Sequence, residues 1–80
     1  MRILLIEDDK NLSETLKFQL EKEGFTVDTC YDGLERLHFI GGNAHDLVLL
    51  DRMLPTMDGL QVLRKTRERN IQTPIILLTA

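Results

Sequence analysis

The sequence has little of what marks a disulfide-rich, membrane-spanning or nucleic-acid-binding protein. Its single cysteine, Cys30, excludes an intramolecular disulfide and a four-cysteine metal site within these 80 residues. No apolar run approaches the roughly 20 residues of a membrane span, and the apolar start turns acidic too early for a signal peptide. A net charge of −3 provides no basic surface for a phosphate backbone. We therefore expect a cytoplasmic protein that binds no membrane and, through this segment, no nucleic acid.

The composition is that of a soluble globular protein that buries a core. Hydrophobic residues make up 42% of the chain and charged residues 29%. Eighty residues suffice for one small domain or part of one. The chain has no linker, internal repeat or low-complexity segment, so residues 1–80 are interpreted as a single unit.

Apolar runs and helical spacings alternate along the chain. Residues 2–6, which are apolar after Arg2, and the apolar residues 47–50 and 75–78 are typical of buried strands, and residues 25–30 alternate as a half-covered or edge strand does. Between them, three amphipathic helices are predicted. Leu12, Leu16 and Leu20 define the inward face of the first, residues 34–40 form the second, and residues 60–69 form the third. The order βαβαβαβ predicts an α/β protein with a parallel sheet covered on both faces.

Polar side chains follow the apolar strands, where ligands bind in such sheets. Glu7 and Asp8 come after the first strand, Asp51 after the third and Thr79 after the fourth. If the first and third strands are neighbours, three carboxylates share one pocket and repel one another. A hard divalent cation such as Mg²⁺ would relieve that repulsion.

Four segments resemble the receiver domain of bacterial two-component response regulators. They are Ile-Glu-Asp-Asp at 6–9, Leu-Leu-Asp-Arg-Met-Leu-Pro at 49–55, Met-Asp-Gly-Leu at 57–60 and Pro-Ile-Ile-Leu-Leu-Thr-Ala at 74–80. The resemblance extends over all 80 residues with the motifs in the expected order. It implies a flavodoxin-like (CheY-like) doubly wound parallel sheet. A receiver of that kind continues with a further helix, strand and helix, so the chain resembles a receiver truncated after its fourth strand.

The resemblance also implies roles for individual residues. Asp51 corresponds to the phospho-acceptor and Thr79 to the switch hydroxyl that bonds the phosphoryl group. Glu7 and Asp8 correspond to the acidic pair that binds Mg²⁺ together with Asp51, and Met53 to the residue whose backbone carbonyl is a further ligand. The lysine that completes the family's site belongs to the fifth strand, which this chain does not contain.

The resemblance further implies the partners. A sensor histidine kinase would supply the phosphoryl group and dock on residues 12–23, and the output would be transcription through an effector domain of a longer parent. Such a module accepts a phosphoryl group onto itself and is not a turnover enzyme. Because residues 75–78 form an apolar strand without a following neighbour, we also expect self-association or a domain swap through that strand.

Other interpretations of the same residues stay open at this point. A haloacid-dehalogenase phosphatase places a second aspartate two positions after its nucleophile, where this chain has Met53. A nucleotide-binding domain needs a glycine-rich loop after the first strand, which is absent. A receiver serving only as a non-phosphorylated interaction or dimerisation fragment agrees with the missing lysine, although the Glu7, Asp8, Asp51 and Thr79 set argues against it.

Several residues have simpler expected roles. Asp9 is expected to begin the first helix and Asp58 to cap the third, since acidic side chains favour helix amino termini. His38 and His45 are far in sequence from the acidic residues, so we expect both to lie on the surface.

Overall fold

The computed structural model describes residues 1–31, 40, 44–51 and 58–78. Four strands and two helices occupy these ranges: β1 (Arg2–Ile6), α1 (Lys10–Lys22), β2 (Thr26–Cys30), β3 (Leu47–Asp51), α2 (Gly59–Glu68) and β4 (Ile75–Leu78). Apart from Ile40, the helix predicted over 34–40 lies outside the described residues. No helix in the described ranges is both long and apolar enough to cross a membrane.

The strands form one parallel sheet in the order β2-β1-β3-β4. In the centre of the sheet, Leu4 of β1 lies beside Asp28 of β2 and Val48 of β3. The predicted strands and their parallel arrangement are confirmed, and β3 extends one residue further than predicted, because Asp51 still pairs with Leu78. Placing β1 and β3 side by side puts their carboxyl ends at the same edge.

Side chains of β1 alternate between two apolar clusters, one on each face of the sheet. Leu4 and Ile6 face the side covered by α2, where Val62 is fully buried. Ile3 and Leu5 face the side covered by α1, where Leu16, Leu20, Phe25, Leu47, Leu49 and Leu78 pack against them. The uninterrupted apolar run of β1 is therefore explained by burial on both faces.

The inward face of α1 differs from the prediction at one position. Leu16 and Leu20 pack on the sheet as expected, but Leu12 is 46% exposed and Ser13 is completely buried. At about 100° per residue, Ser13, Leu16 and Leu20 lie within about 60° of one another, whereas Leu12 is about 100° away from Ser13. The i, i+4, i+8 spacing is compatible with either Leu12 or Ser13 facing the sheet beside the other two leucines. In the structure Ser13, the smaller side chain, faces the sheet.

Asp58 caps α2, as predicted. Its carboxylate accepts a hydrogen bond from the Leu60 N–H at 2.8 Å, and its own N–H donates to the Gln61 side chain at 3.3 Å. The Asp58 side chain also accepts from the Gln61 N–H, and this bond with the one from the Asp58 N–H to the Gln61 side chain forms a capping box, which satisfies amide groups that the first helical turn leaves without partners.

His45 does not lie on the surface, so that prediction is wrong. Its side chain is only 6% exposed, and its Nε2 lies 2.7 Å from Oδ2 of Asp28. The same oxygen accepts a hydrogen bond from Nε of Arg2 at 2.9 Å. The Arg2 guanidinium, with a further contribution from His45, lowers the pKa of Asp28. This cluster joins β1, β2 and the segment before β3 at the amino-terminal edge of the sheet, opposite the acidic residues.

Candidate functional site

The acidic residues converge at the carboxyl edge of the sheet. Glu7 and Asp8 follow β1, and Asp51 is the last residue of β3. Each offers a carboxylate oxygen, and these oxygens all lie within 4.8 Å of one another. The parallel pairing of β1 with β3 therefore brings together residues more than 40 positions apart in sequence.

Backbone contacts position Glu7 inside this cluster. Its N–H donates to the Cys30 carbonyl at 3.1 Å, which extends the pairing of β1 with β2, and its Oε1 accepts from the Asp9 N–H at 3.2 Å. Glu7 is only 5% exposed, whereas Asp8 is exposed and Asp51 is half-buried. The cluster is therefore buried on the side of Glu7 and open to solvent on the side of Asp8.

Asp9 has the separate role that the sequence predicted. Its carboxylate accepts hydrogen bonds from the N–H groups of Asn11 and Leu12 at 3.0 and 3.2 Å, so it is the N-cap of α1. Its carboxylate therefore caps the helix, while its N–H donates a hydrogen bond to the Glu7 side chain.

The electrostatics of the cluster favour retention of a proton. Burial is the main cause that raises the pKa of Glu7, followed by its hydrogen bond to Asp51 and by the negative charges of Asp51 and Asp8; the result is a pKa of about 7. The N–H of Asp9 opposes this rise. Without a cation, Glu7 therefore keeps its proton up to about pH 7 and shares it with Asp51 only through their hydrogen bond.

The donor set suits a hard divalent cation. Three carboxylates within 4.8 Å offer only oxygen ligands, and the open side leaves room for waters, which Mg²⁺ retains when it binds proteins. A cation would also replace the shared proton as the source of positive charge. Met53 and Thr79, the remaining predicted site residues, lie outside the described residues.

Two further residues at the carboxyl edge of the sheet, Lys10 and Tyr31, were not predicted from the sequence. Lys10 is the first residue of α1, and its Nζ lies 5.5 Å from the centroid of the Tyr31 ring. The sequence feature that could have indicated Lys10 is a basic residue at the amino terminus of a helix, where the helix dipole disfavours positive charge.

The chain belongs to the response regulator receiver domain family, whose model matches residues 3–80. It is 46% identical over 80 residues to the transcriptional regulatory protein DltR of Streptococcus agalactiae, covering all of this chain and 36% of that protein. It is 44% identical over 79 residues to the response regulator ArlR of Staphylococcus saprophyticus, covering 99% of this chain and again 36% of the relative. The chain thus spans about a third of the length of these bacterial regulators.

Solved receiver structures share the fold. The receiver domain of the Francisella response regulator 1452 superimposes with a TM-score of 0.93 at 35% identity, over 99% of this chain and 65% of that one. TrrA of Thermotoga maritima, solved in complex with Mg²⁺ and BeF, gives a TM-score of 0.91 at 40% identity, over 99% and 69%. The predicted flavodoxin-like (CheY-like) fold is confirmed, and the chain covers about two thirds of each of these receivers.

Proposed function

We propose that the chain is the phospho-accepting module of a two-component response regulator, with Asp51 as acceptor. The observation that carries this proposal is the convergence of Glu7, Asp8 and Asp51 within 4.8 Å at the carboxyl edge of a receiver-type sheet. Mg²⁺ would be held by these three side chains and by the Met53 carbonyl that the family resemblance implies. When bound, Mg²⁺ supplies positive charge that offsets the negative charge of the phosphoryl group.

The chemistry assigned to Asp51 is nucleophilic attack. A carboxylate oxygen of Asp51 forms a bond to the phosphorus of a phosphohistidine, and the bond between phosphorus and the imidazole nitrogen breaks, with its electron pair staying on the nitrogen. The product is an acyl phosphate on Asp51 and a free histidine on the donor. Glu7 must be ionised to bind the cation, so its shared proton leaves the site first. The chain is consumed as acceptor and is not a turnover enzyme.

Family membership supports a proposal for the donor and for the output. TrrA has been solved in complex with the histidine kinase ThkA, in a structure that matches this chain with a TM-score of 0.89 at 40% identity. We propose a sensor histidine kinase as the donor, cytoplasmic location, and a transcriptional output switched through the hydroxyl of Thr79. DNA binding would belong to an effector domain of a longer parent.

Intact mass spectrometry of the 80-residue chain tests the acceptor role. After incubation with acetyl phosphate and Mg²⁺, we expect one phosphoryl adduct, and none when a chelator removes the metal. Circular dichroism of the same samples reports whether the chain is folded. A folded chain that gains no adduct at any Mg²⁺ concentration would contradict the proposal for this chain.

We also propose that the chain self-associates through β4. This property agrees with the alternative function of a non-phosphorylated interaction or dimerisation fragment. β4 lies at the edge of the described sheet, and Ile76 on it is 50% exposed. An apolar edge strand offers both backbone hydrogen-bonding groups and apolar surface to a second copy.

We therefore expect light scattering to detect dimers that increase with concentration in the micromolar range. Ile76→Lys should abolish them, because a charge on an edge strand opposes pairing. Phe18→Lys on α1, where Phe18 is 64% exposed, is the matched control and should leave dimers unchanged. A folded wild-type monomer at all concentrations would exclude this property.

A further inference from the structure

Lys10 places a positive charge at the carboxyl edge of the sheet, the edge at which the acidic residues converge. The Glu7 N–H is bonded to the Cys30 carbonyl, so Tyr31, the next residue, lies beside Glu7 at the carboxyl edge of the sheet. The Lys10 ammonium lies over the Tyr31 ring, 5.5 Å from its centroid. A contact between a cation and an aromatic face holds the ammonium there.

This position runs against local helix preference. The first turn of α1 contains no acidic residue and begins with Lys10, although the partial positive charge of a helix amino terminus repels a cation. At the other end of α1, Lys22 lies 5.6 Å from the Phe18 ring centroid, where the dipole favours a cation. The two contacts are alike, but only that of Lys10 opposes the dipole, and departures from local preference are expected at functional sites.

We propose that Lys10 is a donor-recruiting residue, which attracts the anionic phosphoryl donor to a site that would otherwise repel it. This inference rests on the proposed function. Three carboxylates make the open side of the cluster negative, and the donor's phosphoryl group is also negative. A cation held at the same edge of the sheet lowers that repulsion during approach and raises the frequency of productive encounters. The Tyr31 ring keeps the ammonium at that edge.

The test compares phosphorylation rates of Lys10→Gln, Lys10→Arg and Lys65→Gln over a range of acetyl phosphate concentrations. In Lys10→Gln, we expect the apparent KM for acetyl phosphate to rise about threefold at low salt with an unchanged maximal rate. Lys10→Arg retains the charge and should behave as wild type. Lys65→Gln removes the same charge from the last turn of α2, outside the predicted kinase-docking segment, so it should also behave as wild type.

Salt and metal dependence separate recruitment from a structural role. The threefold difference should shrink at about 0.5 M salt, where ions screen charges beyond a few Å. Lys10→Gln should also bind Mg²⁺ more tightly, because a repulsive charge is removed. Equal KM values for Lys10→Gln and Lys65→Gln, or a difference that salt does not reduce, would overturn the role of Lys10 alone. A folded wild-type chain that takes up no phosphoryl group would overturn the proposed function together with this role.

Discussion

Asp51→Asn is expected to reduce formation of the phosphoryl adduct by at least about 1000-fold, to below detection by intact mass spectrometry. An amide is a far weaker nucleophile than a carboxylate, and removal of a nucleophile in comparable systems has effects of this size or larger. The substitution preserves the shape of the side chain at the end of β3, so the pairing of residue 51 with Leu78 should persist.

Two comparisons show whether the lost adduct is caused by removal of the nucleophile or by disruption of the fold. Asp46→Asn makes the same chemical change just before β3, at the edge opposite the acidic cluster, and should leave the adduct yield unchanged. Asp51→Asn should also be more stable than wild type at pH 8 without metal, because one of the charges that raise the pKa of Glu7 is gone. An adduct that persists at wild-type yield in Asp51→Asn would place the acceptor on another residue.

The metal-free chain is expected to lose stability as the pH rises from about 4.5 to about 7. Glu7 has an ordinary pKa of 4.5 and a folded-state pKa of about 7, so within this window the folded chain binds the proton that the unfolded chain has released. The contribution of Glu7 to stability is therefore fully present below pH 4.5, falls by about 3 kcal/mol in total between 4.5 and 7, and is lost above 7. For a domain of this size, that corresponds to a fall in melting temperature of more than about 10 °C.

Mg²⁺ should reverse this loss, because the cation replaces the shared proton. Below pH 7 binding must displace that proton, so the Mg²⁺ affinity should rise about tenfold per pH unit up to pH 7 and then level off. Thermal denaturation and Mg²⁺ titration at several pH values measure the two effects. Asp28 does not obscure them, since its lowered pKa restricts its contribution to pH values below its ordinary 3.8.

Glu7→Gln is the matched control for both measurements. Glutamine can donate a hydrogen bond to Asp51 at every pH, as protonated Glu7 does, so the metal-free variant should be as stable at pH 8 as wild type is at pH 5. Its weaker Mg²⁺ binding should no longer change between pH 5 and 8. A variant that keeps the wild-type pH dependence would show that another group carries the proton.

The architecture was predictable because strand and helix patterns in this chain are locally consistent. Apolar runs such as residues 3–6 are buried on both faces, as in a parallel sheet with helical connections. The Asp58 capping box likewise depends on residues three positions apart, so the sequence alone indicates it.

Packing decided the features that sequence spacing left open. The spacing along α1 allowed Leu12 or Ser13 to face the sheet, and the sheet surface selected Ser13. His45 had no sequence signal for burial, because its partners Asp28 and Arg2 come from other strands.

The sequence by itself determined the chemistry available at the site: carboxylates after two apolar strands, in motifs that resemble those of a receiver. Only the tertiary structure decided that β1 and β3 are neighbours and that Glu7, Asp8 and Asp51 therefore meet within 4.8 Å. The raised pKa of Glu7 also depends on the fold, since burial and an opposing carboxylate exist only once the strands have paired. Residue types are local properties of the chain, whereas distance and desolvation arise from contacts between distant segments.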